Sequence, residues 1–257
     1  MTTSLDFLGD ASSNIIIPYA PALNFGTGDF TIEWYQYETD TNANPNPFSR
    51  GTYSTPTIGV SIEGTTFYYW IGGTTHSFSY SRTPNAWTHF AIVRSGGTTA
   101  IYKNGNNQTY FTDTNNYSSS DNLTIANEMS LTNNAAFGGY MAYFSWNVGY
   151  ARYNTNFTVN NDYPPLIPST VLLLSAYGSL GTLGGTVISS NVTTIPQVPF
   201  VPPYPPPPAA PAQVNTFYNS LLYSLYTDNA RVFYKPNSLA WSIGSTVRNS
   251  RAVSKRT

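Results

Sequence analysis

The chain of 257 residues contains no cysteine. That excludes a disulfide framework and thiolate metal sites, and a chain of this length buries a core without either. Charge is scarce as well: Asp, Glu, Lys and Arg make up 9% of residues, against about 25% in an average soluble domain. No run of 18 apolar residues occurs, so no membrane-spanning helix is expected. The opening residues, Met1 to Phe7, hold neither a basic stretch nor an apolar one, and are not expected to act as a secretory signal. Acidic residues are missing from the end of the chain. The last is Asp228, and six of the 11 basic residues follow it. The first 228 residues therefore hold five basic residues against 12 acidic ones, a net −7. A formal net charge of −1 conceals an acidic body with a basic tail.

Aromatic and neutral polar residues stand in place of charge. Aromatics reach 16%, including 21 Tyr. Asn, Ser and Thr supply the polar surface, which suits a protein packed in an assembly or facing glycans.

Residues 85 to 105 hold the clearest local signal. Two apolar runs, Trp87 to Arg94 and Thr99 to Lys103, flank Gly96-Gly97, and Asn104-Gly105 follows. Gly-Gly and Asn-Gly supply the positive φ of two-residue hairpin turns, so the stretch reads as a strand meander toward Thr109-Tyr110-Phe111. From Leu5 to about Ala176, short runs rich in Tyr, Phe, Ile, Val and Thr alternate with Gly, Asn, Pro and Ser clusters. Examples are Phe30 to Tyr35, Ile58 to Ile62 and Thr66 to Ile71. A spacing near a dozen residues is the pattern of an antiparallel sandwich.

Four segments are expected: a sandwich over 1–178, a connector or last strand over 179–195, a Pro-rich linker over 196–212, and a C-terminal docking segment with a basic tail over 213–257. Nine of the sixteen residues from Pro196 to Pro211 are Pro. Such a segment forms neither a ladder nor a helix interior. As polyproline II, at ~3.1 Å per residue, it spans roughly 50 Å. It reads as a spacer or as a ligand for an aromatic-lined groove. Beyond it, Phe217, Leu221, Leu222 and Leu225 fall on one helical face. That stretch is too short to be stable alone, so a docking role is expected of it. The tail, with Arg248, Arg251, Lys255 and Arg256, has little to bury.

Leu23 to Trp34, Asn85 to Ala91 and Ile101 to Gly105 carry motifs that occur in the same order in the laminin G-like, concanavalin A-like jelly-roll domains. Phe137 to Trp146, Ala151 to Thr158 and Leu172 to Leu174 resemble the variant of that family found in tailed phages and large DNA viruses. The resemblance covers about residues 5 to 176. Ser145-Trp146 departs from the variant's usual basic residue at the strand end. The far C-terminus, from Phe233 to Thr257, is similar to tails on virion proteins of large DNA viruses. The resemblance implies an all-β, antiparallel jelly-roll β-sandwich of concanavalin A-like type, followed by a Pro-rich linker and an extended C-terminal arm.

Some relatives of this class cleave glucans, which needs two carboxylates facing one bond. Glu33 is followed only by Glu38 and Asp40, and Glu63 is isolated, so no catalytic residues are assigned and no enzyme is expected. Trp87 and His89 share a strand face. They are read as packed in the sandwich, with His89 hydrogen-bonded. His76, in a Thr-rich stretch, is read as an exposed turn residue. The two separated histidines do not make a zinc site. The class often holds calcium on loops, for which Asp29, Asp113 and Asp121 are the candidates, although no metal site is assigned. Tyr, Asn and Trp on a loop edge could bind sugar. The basic tail could meet nucleic acid, with acidic protein surface at least as good a partner.

Together these readings point to a non-enzymatic structural component of a virus particle, a minor capsid or capsid-associated protein localised to the virion. Its partners would be other virion proteins. The Pro-rich strap would set the reach, Phe217, Leu221, Leu222 and Leu225 would bury apolar surface on a neighbour, and Arg248, Arg251, Lys255 and Arg256 would anchor it by charge. The alternative is a carbohydrate-binding, lectin-like surface or receptor-binding module.

Overall fold

The computed structural model describes residues 4–39, 44–52, 55–159, 167–175, 178–180 and 188–195. The chain divides into two units, Met1–Pro206 and Pro207–Thr257. The second lies outside the described residues.

The regular elements of the described residues are nearly all strands. In chain order they are β1 (Ser4–Leu8), β2 (Asn14–Ile17), β3 (Phe30–Glu38), β4 (Phe48–Thr52), β5 (Thr55–Glu63) and β6 (Thr66–Ile71). Next come β7 (Thr74–Ser79), β8 (Trp87–Ser95), β9 (Thr98–Lys103), β10 (Asn106–Thr112) and β11 (Leu123–Ile125). The last are β12 (Gly138–Val148), β13 (Thr170–Ser175), β14 (Gly178–Leu180), β15 (Ile188–Ser190) and β16 (Thr193–Ile195). A single 3-10 turn, Pro21–Leu23, precedes β3.

The strands form two antiparallel sheets packed as a sandwich. The first runs in the order β10, β9, β8, β3, β12, β1, β16, with β13 also pairing β12 and β14 pairing β13. The second runs β15, β2, β11, β4, β5, β6, β7. This is the fold class expected from the alternating runs. The meander is present as β8, β9 and β10, with positive φ at Gly96, Gly97, Asn104 and Gly105. Gly105 is also required by packing: a side chain there would collide with the Phe157 carbonyl. In 179–195, where the sequence left a connector or a strand open, β15 pairs with β2 and β16 with β1.

Between the sheets lies one core. Phe30, Ile32 and Trp34 of β3 meet Phe48, Val60 and Phe67 from the second sheet, all fully buried. Burial of each such side chain is worth about 1.5–3 kcal/mol. The intervening residues of β3, Thr31, Glu33 and Tyr35, point the other way and are buried too. The reason is the segment 151–159. It lies over the outer face of the first sheet, with Tyr153 and Phe157 packed on Ala91, Val93 and Tyr102. The Tyr153 and Phe157 rings stack 3.5 Å apart.

A bulge in β12 adapts this strand to both faces. Ala142 pairs with Tyr35 and Ser145 with Glu33, so Tyr143 and Phe144 together oppose Trp34. Tyr143 takes a left-handed φ of 54°. The extra residue resets the alternation. Met141 and Phe144, three apart, both reach the core, while Ala142 and Tyr143 both join the outer cluster.

Candidate functional site

The outer face of the second sheet is the part of the sandwich best suited to hold a ligand. Strand alternation sends Phe67, Tyr69 and Ile71 of β6 into the core and turns Thr66, Tyr68 and Trp70 outward. Cross-strand register then sets Trp70 in a row with Thr75 on β7, Gly59 on β5, Ser49 on β4, Thr124 on β11 and Ile16 on β2. The adjoining row holds Ser61, Tyr68 and Ser77. Both aromatic rings are half-buried, and their centroids lie 5.9 Å apart. The Trp70 Nε1–H donates to Ser61 Oγ at 2.7 Å, and the Ser61 hydroxyl donates to Glu63 Oε1 at 3.0 Å. This relay holds the indole in one orientation. Rings, hydroxyls and one carboxylate make a platform for an uncharged, hydroxyl-rich ligand.

The first sheet places its ionisable residues differently. Glu33 is 2% exposed on the outer face, under the segment 151–159. His89 Nε2 lies 3.5 Å from its Oε2, Arg152 Nε lies 3.2 Å from its Oε1, and the Tyr153 hydroxyl donates to Oε2 at 3.0 Å. Burial works against ionisation of Glu33. The hydrogen bond from His89, the charges of Arg152 and His89, and the Tyr153 hydroxyl outweigh it, so its pKa falls below 4.5. Trp87 and His89 do share a face, but it is the outer side of the first sheet and not the interior of the sandwich, because Phe90 and Ile92, at the alternate positions of β8, take the core side. His89 also packs against Tyr35 and Phe157.

His76 corrects an expectation. It lies within β7, half-buried, and its ring stacks on Phe111 at 3.4 Å. The Thr-rich surroundings read as a turn, but the register pairs His76 with inward-facing Tyr69.

The family model of the concanavalin A-like lectin/glucanases superfamily matches residues 10–146. The chain belongs to this superfamily. Among solved structures it is similar to a candidate carbohydrate-binding protein from Bacteroides ovatus, with 16% identity and a TM-score of 0.55, over 77% of this chain and 61% of that one. It is also similar to a heptameric SAP-like pentraxin from Limulus polyphemus, with 11% identity and a TM-score of 0.54, over 75% of this chain and 94% of that one. At these identities the likeness is one of fold. The chain thus spans about three fifths of the Bacteroides ovatus protein. No curated protein matches the sequence.

A concanavalin A-like glucanase would need two carboxylates facing one bond. Glu33 and Glu38 cannot do so, because they stand on opposite faces of β3. Glu38 belongs to the inner side, where it accepts from Gln36 at 2.7 Å and from the Tyr80 hydroxyl at 2.9 Å. A glycosidase acid also needs a raised pKa, whereas that of Glu33 is lowered. Glu63 sits on the other sheet, and Asp40 lies outside the described residues.

The calcium candidates of this concanavalin A-like domain are committed elsewhere, and the residues present do not fit the ion. Asp29 Oδ1 accepts the Gly96 N–H at 2.9 Å. Asp121 Oδ2 accepts the Ser119 hydroxyl. Asp113 is 1% exposed and accepts from Thr99, Tyr117 and Asn115. Burial opposes its ionisation, and these hydrogen bonds outweigh burial, so its pKa falls below 3.8. All three tie loops rather than converge. No group of three or more His, Asp or Glu among the described residues is arranged to hold a metal. Glu128, which sequence reasoning passed over, is buried with Oε2 unpartnered. Its other oxygen accepts from Thr132, and the Oδ1 of neighbouring Asn127 is used by the Glu128 N–H. One open oxygen falls short of the six to eight that calcium takes.

The docking residues expected from the sequence, Phe217, Leu221, Leu222, Leu225, Arg248, Arg251, Lys255 and Arg256, lie outside the described residues. The Tyr68 and Trp70 platform was not singled out from sequence. The alternation of Thr66 to Ile71 puts the two rings on one face, but only the sheet order shows that hydroxyls surround them.

Proposed function

We propose that the sandwich is a non-enzymatic carbohydrate-binding module, and that a sugar chain lies on the outer face of the second sheet. The single observation that carries this is the Tyr68 and Trp70 pair, with the Trp70 indole oriented by the Ser61–Glu63 relay, beside rows of hydroxyls. The rings cover the apolar faces of sugar units, and the exposed hydroxyls of Ser77 and Thr75 exchange hydrogen bonds with those of the sugar. The fold shared with the Bacteroides ovatus protein supports the reading.

A glycan array, followed by titration calorimetry on the best binder, tests it. Trp70→Ala should weaken binding about thirtyfold, the loss of a contact of ~2 kcal/mol. Thermal stability should change little, since Trp70 is half-exposed. An array with no bound glycan, with and without calcium, overturns the proposal.

A second reading concerns the whole chain: a minor capsid or capsid-associated protein of the virion, tied to neighbouring subunits by its C-terminal arm. Its support lies in the sequence, in the net −7 of the first 228 residues against six basic residues after them. The arm would dock on acidic protein surface, with nucleic acid as the lesser partner. Particles assembled with a chain lacking residues 196–257 should incorporate it poorly, measured by mass spectrometry of purified particles. Normal incorporation sinks this reading and leaves the glycan-binding one standing.

A further inference from the structure

One edge of the sandwich lacks the protection that the others have. An exposed sheet edge is an open row of backbone N–H and C=O groups, normally kept short or interrupted by a bulge, a charge or a proline. Among the described residues, β14, β15 and β16 end their sheets with three residues each. The edge strand β10 is longer but carries a bulge between Asn107 and Thr109. By contrast, β7 ends the second sheet with six residues in unbroken register with β6. It holds no Pro, Lys, Arg, Asp or Glu. Burial holds its one titratable side chain, His76, below the usual pKa of 6.5, so the strand is uncharged near neutral pH.

Register decides which backbone groups of β7 are open. Gly72 and Gly73, both at positive φ, form a two-residue turn closed by the Ile71–Thr74 pair. Hydrogen-bonded pairs then alternate along the hairpin. The Tyr80 N–H, which donates to the Thr65 carbonyl at 2.8 Å, keeps the same phase. Thr74, His76 and Phe78 therefore direct their backbone groups to β6. Those of Thr75, Ser77 and Ser79 point away from it and have no backbone partner among the described residues.

The sequence of this edge is close to a palindrome in chemical type. Thr75, His76, Ser77, Phe78 and Ser79 read as hydroxyl, ring, hydroxyl, ring, hydroxyl. A two-fold axis through Ser77 sets the strand antiparallel to its own copy. Ser77 then meets Ser77, Thr75 meets Ser79, and His76 meets Phe78. The open groups all pair, giving about six backbone hydrogen bonds. Hydroxyl lies against hydroxyl on the outer face and ring against ring on the inner one, which favours an antiparallel pair. Phe78, stacked on Phe67 at 4.8 Å but only half-buried, gains cover.

We propose that β7 is a dimerisation edge: two copies of this chain pair their Thr74–Ser79 strands antiparallel about Ser77, joining the two second sheets into one. A self-complementary contact of this kind closes at two copies. It is small, below the ~1,200 Å² at which stable interfaces begin, so the dimer is reversible. Ser77 pairs with Tyr68, so the two Tyr68 rings stand in one cross-strand row, three strand spacings or ~14 Å apart. One sugar chain then spans both platforms. That consequence rests on the carbohydrate reading; the strand pairing does not.

Sedimentation velocity of the full chain from about 5 to 500 µM tests the proposal. The wild type should pass from monomer to dimer as concentration rises, and go no further. Ser77→Lys places two ammonium groups opposite each other at the axis and should raise the dimer dissociation constant at least about fivefold. Ser77→Glu should do the same with two carboxylates. Mixed one to one, the two variants should recover a dimer at least as tight as the wild type, because opposite charges now meet. A folding defect would not be cured by mixing. Tyr110→Lys, on the bulged edge β10, should leave the dissociation constant unchanged. A wild type still monomeric at about 500 µM, a dimer indifferent to both Ser77 variants, growth beyond two copies, or no recovery on mixing overturns the proposal. A chain that dimerises in this way and binds no glycan sinks only the carbohydrate reading, and a glycan-binding monomer sinks only this one.

Discussion

Arg50→Met is expected to lower the unfolding free energy by about 3 kcal/mol or more. Arg50 sits on the inner side of β4 and is fully buried. Its guanidinium donates to three loop carbonyls: Leu23 at 3.0 Å, Ser119 at 2.8 Å and Asp121 at 3.2 Å. Met retains most of the apolar stem, so the loss is chiefly of hydrogen bonds. The Leu23 carbonyl keeps the Trp146 indole N–H as a donor at 3.1 Å, whereas those of Ser119 and Asp121 lose the donor that Arg50 supplies. A carbonyl stranded in a buried site costs about 1–3 kcal/mol. Arg50→Lys should recover roughly half of the loss, because an ammonium cannot spread its donors over three acceptors as the planar fork does. Urea denaturation of both variants measures this, with the m-value unchanged. A loss below ~1 kcal/mol for Arg50→Met would show that the loops hold themselves.

Glu33→Gln is expected to cost about 3 kcal/mol near neutral pH and to flatten the acid limb of the stability curve. The carboxylate joins β3 to β8 through His89, and to the covering segment through Arg152 and Tyr153. Gln keeps the shape and removes the charge. Its folded-state pKa lies below the ordinary 4.5, so between the two values the unfolded chain binds more protons and stability rises with pH. The contribution of Glu33 is complete above about pH 5 and is lost as pH falls through the folded pKa. Wild-type stability should therefore drop more steeply than that of Glu33→Gln below pH 4.5. Asp113, also lowered, gives both proteins a residual slope of the same sign. Hydrogen exchange over 151–159 should rise in Glu33→Gln at neutral pH, since Tyr153 and Phe157 lose their polar anchor. Parallel curves for the two proteins would rule out Glu33 as the source of acid sensitivity.

The body of this protein was legible before any coordinates. Gly96-Gly97 and Asn104-Gly105 supply the positive φ of tight turns, and the apolar runs between them can only be strands. Phe30 to Tyr35 reads as one of the strands. The absence of Cys and of clustered carboxylates narrowed the chemistry at once. Other features are decided by which strands lie side by side, and alternation alone does not contain that. Nothing along the sequence marks Arg50 as buried; that follows only from β4 lying between β11 and β5. His76 reads as a turn residue until β7 is paired with β6. The burial of Glu33 comes from residues 151–159, more than a hundred positions away. The same holds for the aromatic face of the second sheet. Alternation along one strand sets Tyr68 and Trp70 together. Only register across β5, β6 and β7 surrounds them with Ser61, Ser77 and Thr75. Local sequence determines strands and turns because backbone conformation is a local property; ligand-sized surfaces are built from cross-strand neighbours, and those are settled by tertiary packing.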